Sequence, residues 1–262
     1  MIVAFTLGAC VGSFLNVCIH RIPADESIVR PGSRCPHCRK PIAWYDNVPF
    51  LSWLWLRARC RHCGAGIAAR YPLVELAAAL LAVLSVVVFG ATPHALVAFA
   101  FSAALVLITF IDLDHLFIPD EVSLPGILVG VGASFLLGDP SPRDAVVGAV
   151  LGGGILWAVA WTYERLTGVE GMGLGDVKLL AMIGAFLGWQ AIPAVLVIAS
   201  VAGSIAGSAV IFAPGRRAQR QRIVRHLGWR ALLAYVRRAA RRTEIPFGPF
   251  LALGALVMLF FG

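Results

Sequence analysis

The chain has 262 residues, of which 59% are hydrophobic and 14% are charged, and its mean hydropathy is +0.84. Soluble domains carry about 25% charged residues, so this composition excludes an ordinary soluble enzyme and indicates a membrane protein. The net charge of +8 does not indicate a nucleic-acid partner, because most of the cations lie in two loops of an otherwise apolar chain.

Eight apolar stretches predict an all-α polytopic membrane protein with about eight transmembrane helices. A helix needs about 20 residues to cross the roughly 30 Å hydrocarbon core. In chain order the stretches are residues 1–20, 74–91, 95–111, 122–138, 144–163, 177–190, 193–213 and 247–261, of which the sixth is short. The first lacks a basic leader and a small-residue cleavage site, so we predict a retained helix rather than a signal peptide.

Lysine and arginine are concentrated in two segments. Of the 22 cations, nine lie between Arg21 and Arg70 and ten between Arg216 and Arg242. Basic loops stay on the cytoplasmic side of bacterial membranes. Six crossings separate the two segments, so an eight-span topology puts both in the cytoplasm. The same count puts the 112–121 and 164–176 connections in the cytoplasm and both termini outside.

Four of the six cysteines form two Cys-x-x-Cys pairs within the polar segment 21–73, and 21 residues separate the pairs. Each pair offers two thiolates, and two pairs complete a tetrahedral structural zinc site. The ligands predicted in this way are Cys35, Cys38, Cys60 and Cys63.

Other interpretations of this cysteine segment remain open. Disulfides are an alternative to a metal, although they rarely persist in the reducing cytoplasm. His37 and His62, inside the two pairs, are expected to be solvated neighbours that can replace a ligand. Cys10 and Cys18 are expected to pack as small apolar residues in the first span.

Two carboxylates lie at cytoplasmic ends of predicted spans, Asp112 where the third ends and Asp176 where the sixth begins, behind the glycine-rich segment 171–175. An ionisable group within an apolar run suggests function. Two nearby carboxyls that share one proton can activate water for amide hydrolysis.

Each carboxylate also has a simpler structural interpretation. Asp176 fits an N-cap for a helix that begins at Val177. Asp114 and Asp120 fit solvated boundary charges or caps. Asp112 fits such a role less well, because it lies just inside the apolar run.

In its ordered motifs the chain resembles the type IV prepilin peptidases, bifunctional leader peptidases and N-methyltransferases among the GxGD aspartyl proteases. The motifs cover nearly the whole chain. They are Gly12-Ser13-Phe14-Leu15-Asn16-Val17, the two cysteine pairs, Arg70-Tyr71-Pro72-Leu73-Val74-Glu75, Ile111-Asp112-Leu113-Asp114, Gly173-Leu174-Gly175-Asp176 and Pro246-Phe247-Gly248-Pro249-Phe250.

The resemblance implies that Asp112 and Asp176 are the catalytic pair. The enzyme would cleave prepilin or pseudopilin precursors after a glycine that ends a short basic leader, at the cytoplasmic face of the inner membrane. It would then methylate the new amino group from S-adenosylmethionine. The implied domains are the first helix (1–20), a tetracysteine zinc module associated with methyl transfer (21–73) and a peptidase region (74–262) with a basic loop at 214–246.

We also predict that Glu75 binds the cationic cofactor, with a cap at the start of the second span as the alternative. Two positions depart from the family pattern. The family often has glycine two residues before its third cysteine, where this chain has Ala58, and the loop 214–246 looks long. That loop fits either an amphipathic segment on the anionic leaflet or a solvated linker.

Other function classes remain open at this point. One is an enzyme with peptidase activity alone. Another is a proton-coupled transporter in which the two aspartates relay protons, although no internal repeat is visible. The last is a non-catalytic scaffold that docks secretion components through the zinc module.

Overall fold

The computed structural model describes residues 1–168, 173–211 and 246–262, with residues 210 and 211 described by backbone alone. Within these ranges the chain is helical, and its only β pairing is two isolated bridges. The helices are α1 (Ile2–Arg21), α2 (Leu51–Trp55), α3 (Arg70–Phe89), α4 (Pro93–His115), α5 (Asp120–Leu137), α6 (Pro142–Thr167), α7 (Leu174–Leu187), α8 (Ile192–Ile211) and α9 (Gly248–Phe261). The predicted basic loop 214–246 lies outside the described residues, except for its last position.

A helix occupies each of the eight predicted apolar stretches, and six of them are long and apolar enough to cross a membrane. The two others, α7 and α9, have 14 residues each. At 1.5 Å per residue such a helix is about 21 Å long, less than the hydrocarbon thickness. The prediction of an all-helical membrane protein is confirmed, with six candidate spans among the described residues.

The helices form two packed groups that meet at α4. Helices α1 and α3 pack on one side of α4 around Leu15, Val74 and Ala78. Helices α7, α8 and α9 pack on the other side, around Leu105, Leu179 and Leu251. Helix α4 contributes buried residues to both groups, so the two groups form one continuous bundle. The outer faces of the helices expose large apolar side chains, including Leu80, Val87, Leu128, Leu136, Val150 and Val197.

Helix α7 lies at the centre of the second group. All of its residues from Leu179 to Ala185 are buried. Close approach to α6 depends on glycine, because a Cβ added at Gly148 would meet the Gly184 carbonyl oxygen at 2.2 Å. A helix covered by protein on every side does not need to match the bilayer thickness. This explains how so short a segment is accommodated.

The polar segment between α1 and α3 folds as two similar loops. In the first, Cys35 N–H donates to the Lys40 carbonyl at 3.0 Å and Ile42 N–H to the Ser33 carbonyl at 2.8 Å. In the second, Cys60 N–H donates to Ala65 at 2.8 Å and Ile67 N–H to Ala58 at 2.7 Å. Each Cys-x-x-Cys pair therefore lies at the tip of a small hairpin.

Candidate functional site

Asp112 lies in the last turn of α4 and is 5% exposed. One of its oxygens, Oδ2, accepts the backbone N–H of Gly248, at the start of α9, at 3.0 Å. A buried carboxylate is costly unless it is hydrogen-bonded. Asp112 lies at a helix end, as its place at the end of the third apolar run predicted. Its hydrogen bond adds the last helix to the site.

Asp176 lies in the first turn of α7 and is half-buried. The interpretation of Asp176 as the N-cap of a helix starting at Val177 is wrong, because α7 begins at Leu174 and Gly173 occupies the cap position. Ile118 lies against Gly175, the neighbour of Asp176, and against Gly248, whose N–H binds Asp112. The structure therefore brings the two predicted carboxylates to the same end of the bundle. Each can then influence whether the other is ionised.

Gly248 is a residue of this site whose role sequence reasoning missed. A Cβ added there would meet Asp112 Oδ2 at 2.5 Å, so a side chain at position 248 would displace the carboxylate. Ile118 packs beside the same position and also contacts Gly175, next to Asp176. The sequence signal is the Pro246–Phe250 motif, but nothing local to this motif shows that its backbone reaches Asp112.

Two ion pairs flank the carboxylates. Arg70, the first residue of α3, forms an ion pair with Asp114 and donates to the Phe110 carbonyl at 3.0 Å. Lys178 Nζ contacts both oxygens of Asp120 at 2.7 Å, joining α7 to the start of α5. The prediction of boundary charges at Asp114 and Asp120 is confirmed, with the addition that each has a partner.

The four predicted cysteines form one cluster. Their sulfur atoms all lie within 4.8 Å of one another, and Cys35 Sγ is 3.8 Å from Cys63 Sγ. Tetrahedral zinc with Zn–S bonds of about 2.3 Å requires sulfur atoms about 3.8 Å apart. All six cysteines of the chain are free, so the disulfide alternative is not realised. The cluster can hold a metal ion through sulfur alone, without His37 or His62.

The thiols of the cluster differ in how readily they ionise. Backbone hydrogen bonds from Cys63 and His62 lower the pKa of Cys60 to about 6, whereas burial and hydrogen bonds with the other thiols raise the pKa of Cys63 to about 11. Thiolates are the form that metals bind. Nearby, Arg61 Nε donates to Asp46 Oδ2 at 2.7 Å and lowers the pKa of that carboxyl, closing the second loop against the segment between the loops.

The departure from the family pattern at Ala58 has a backbone explanation. Ala58 has φ +56, in the left-handed region that glycine adopts freely and other residues resist. Its carbonyl accepts the Ile67 N–H that closes the second hairpin, so this conformation belongs to the second cysteine loop. A glycine at this position, which the resemblance implies for the family, would therefore suit the turn.

Glu75 lies in the second turn of α3 and is 8% exposed. The alternative in which Glu75 caps the second span is wrong, because α3 begins at Arg70. Its Oε2 accepts the backbone N–H of Phe50 at 3.0 Å, so it holds the segment before α2 against the bundle. Glu75 also lines a cavity between the cysteine loops and helices α1 and α3.

Comparison with known proteins places these features in one family. Residues 6–89 match the Bacterial Peptidase A24 N-terminal domain, and residues 99–208 match the Type IV leader peptidase family. A prepilin leader peptidase/N-methyltransferase of Myxococcus xanthus is 40% identical, with 98% of this chain and 89% of that protein covered. Proteins of the same name from Aeromonas hydrophila and Burkholderia pseudomallei are 40% and 39% identical, covering 89% and 84% of those proteins.

The chain belongs to the type IV leader peptidase family. No solved structure matches it. The N-terminal match includes the four cysteines and Glu75, and the leader peptidase match includes Asp112 and Asp176. Gly248 lies beyond both matched segments, although it contacts Asp112 directly.

Proposed function

We propose that this chain is a prepilin leader peptidase and N-methyltransferase. The observation that carries the proposal is that Asp112, Asp176 and the Gly248 N–H lie at the same end of the bundle. Near-complete coverage by relatives named for both activities supports it. The substrates are prepilin or pseudopilin precursors, each with an apolar helix that lies in the bilayer beside the enzyme.

Asp112 and Asp176 are the catalytic residues for cleavage. One carboxylate takes a proton from water as the water oxygen bonds to the scissile carbonyl carbon, and the other, protonated, donates to the carbonyl oxygen. The C–N bond then breaks and the departing amine receives a proton. The Gly248 N–H fixes Asp112 in one orientation during these transfers.

The positions of the charges support a cytoplasmic active site in the bacterial inner membrane. Arg70 and Lys178, which flank the aspartates, lie at the same end of the bundle as the arginine-rich segment that follows α1. Loops rich in arginine remain in the cytoplasm. Leader cleavage therefore takes place where the basic leader meets the apolar helix of its precursor.

The metal in the cysteine cluster is zinc in a structural role. Four sulfur ligands fill a tetrahedral site and leave no position for a catalytic water. Among the described residues between α1 and α3, only Cys35 is buried, so this segment has little core of its own. Zinc supplies the folding free energy that such a small core does not.

The second substrate is S-adenosylmethionine, which supplies the methyl group when bound. Glu75 would lie near its cationic sulfur, because a buried carboxylate stabilises a positive charge. The same residue also accepts the Phe50 N–H, so its replacement by alanine would disturb the cavity wall as well.

Cleavage of a purified precursor by carboxylate variants tests the proposal. Asp112→Asn and Asp176→Asn should each lower the cleavage rate by at least about a thousandfold, because asparagine cannot exchange a proton. Asp114→Asn is the matched control and should keep substantial activity. Cleavage at the unaltered rate by either dyad variant would exclude the peptidase assignment and favour a transporter or a scaffold.

A further inference from the structure

Among the described residues, a large cavity lies between the cysteine loops and the inner ends of α1 and α3. Its volume is about 780 Å³, part of which lies at the cysteine cluster, because Cys35 and Cys60 also line it. Small-molecule sites enclose roughly 300–1,000 Å³. The bundle side of its wall includes Asn16 and Glu75, and its aromatic lining includes Phe50, Trp53 and Tyr71. Hydrogen bonds hold two of these groups in place: Asn16 Nδ2 donates to the Tyr71 carbonyl at 3.0 Å, and Trp53 Nε1 to the Ile67 carbonyl at 3.1 Å.

A smaller cavity of about 400 Å³ adjoins the larger one along α1. Both are lined by Ser13, Val17 and Arg21, which follow each other at helical spacing. On one side of these three residues the larger cavity continues to Asn16 and His20. On the other side the smaller cavity continues to Cys10, Phe14, Ile28 and Val29, which are mainly apolar.

The smaller cavity opens towards the bilayer. Cys10 and Phe14 are exposed although they lie inside the first candidate span. The segment beside them also reaches into the apolar layer, since the ring of Phe50 stacks on Phe5, in the first turns of α1, with centroids 5.9 Å apart. Leu51 and Trp55, which follow Phe50, are 65% and 82% exposed, as expected of side chains that face lipid.

We propose that methyl transfer takes place where these two cavities meet. The larger cavity binds S-adenosylmethionine, and the smaller one binds the first residue of the cleaved prepilin, arriving from the bilayer. This assignment rests on the methyltransferase function proposed above. The aromatic wall suits the adenine ring and the sulfonium, and Glu75 supplies a negative charge for the sulfonium at the bundle side. The cavity is also lined by cations of the cysteine loops, including Arg34, Arg39 and Lys40, which suit the carboxylate of the amino-acid part of the cofactor.

The chemistry needs only the groups that this arrangement brings together. The neutral amine of the prepilin uses its lone pair to form the new N–C bond. The S–C bond breaks at the same time, with its electron pair left on sulfur. The proton in excess on the methylated amine passes to water at the cytoplasmic opening. No oxidant, metal or further cofactor takes part.

Glu75→Gln tests the larger cavity by equilibrium binding, without turnover. Glutamine keeps an oxygen to accept the Phe50 N–H but removes the charge. Affinity for S-adenosylmethionine should fall about tenfold, the effect of about 1.4 kcal/mol. Affinity for S-adenosylhomocysteine, whose sulfur is neutral, should change less than about twofold. Glu121→Gln, an exposed acid on α5, is the control for overall charge. Equal losses for both ligands, or the same discrimination in the control, would overturn the assignment.

Modification of Cys10 tests the smaller cavity. A bulky maleimide on the zinc-loaded protein should raise the KM for the acceptor at least about tenfold in the methylation assay, with binding of S-adenosylmethionine unaltered. Leader cleavage should continue, since Asp112 and Asp176 lie elsewhere. The reagent should have no effect on the Cys10→Ser variant. Methylation that is insensitive to the label would overturn the acceptor site.

The two proposals fail in different ways. Unaltered protein that cleaves its precursor but neither binds S-adenosylmethionine nor methylates the product would refute the methyltransferase function itself. If the unaltered protein methylates its product but the changes at Glu75 and Cys10 have no effect, only the location of methyl transfer at the two cavities is refuted.

Discussion

The cysteine segment and the helical bundle are stabilised in different ways. Around α7 the bundle buries complete side chains, including Leu179, Leu180 and Met182. The segment between α1 and α3 buries only Cys35 among its described residues and is held by turns, an ion pair and the cysteine cluster. Membrane helices can form one by one, whereas a small polar segment needs a cross-link. The two regions should therefore respond differently to the same perturbation.

Removal of the metal should give the largest effect and should be confined to the cysteine segment. Structural zinc contributes about 10–16 kcal/mol in small metal-binding peptides. A strong chelator should accelerate tryptic cleavage at Arg57 and Arg59 at least about tenfold while helical circular dichroism stays nearly constant. Unaltered protection of these sites would show that the segment folds without metal.

Acidification should have the same effect as the chelator. Metals bind cysteine as the thiolate, so protons compete with the metal for the four sulfur atoms increasingly as the pH falls. The stability that the metal supplies is therefore present at neutral pH and is lost as the pH falls. Metal content measured after gel filtration across this pH range checks the direction.

Within the bundle, Gly248→Ala should lower leader cleavage without unfolding the protein. The added methyl group displaces Asp112 and disrupts a hydrogen bond to a charged group, worth about 1.5–3 kcal/mol. The cleavage rate should therefore fall about tenfold to a hundredfold. Gly132→Ala, in an open position on α5, is the matched control. Equal rates for both variants would remove Gly248 from the site.

The ion pair that joins the two regions should contribute little to the free energy of unfolding. Arg70 and Asp114 join the end of the cysteine segment to α4, but their side chains are 32% and 39% exposed. Pairs with this exposure contribute about 0.2–1 kcal/mol. A double-mutant cycle with Arg70→Gln and Asp114→Asn, followed by unfolding in mixed detergent, measures this coupling. A coupling of several kcal/mol would mean that the two regions unfold as one unit.

Ala58→Gly should give the smallest effect and should be stabilising. The left-handed conformation costs a non-glycine residue about 1–2 kcal/mol, and the entropy that glycine loses on folding offsets part of that relief. We expect a gain of about 0.5–1 kcal/mol, measured as slower metal loss to a chelator. Ala43→Gly, where φ is −64, should instead destabilise the segment slightly. Lower stability in both variants, measured as faster metal loss, would contradict the assignment of backbone strain to Ala58.

Several features follow from the sequence because they depend on local properties. Apolar length and turn residues predict the helices, since every backbone group in a bilayer must be paired within its own segment. The spacing within each Cys-x-x-Cys pair predicts which thiols converge, because the metal-binding turn is short. Asp112 stands out in the sequence because an ionisable residue inside an apolar run is rarely accidental.

Tertiary packing decided the contacts between residues that are far apart in the sequence, which local sequence patterns do not contain. Hydropathy does not predict that α7 starts at Leu174, ahead of Asp176, because the first turn of this helix contains glycine and a carboxylate. The contact between Gly248 and Asp112 joins residues 136 positions apart, and only the packing of α9 against α4 brings them together. The amino-acid sequence by itself determined the helices, the four cysteines that cluster and the candidate carboxylates. The fold decided which backbone group holds Asp112, because helix packing sets distances that no short stretch of sequence encodes.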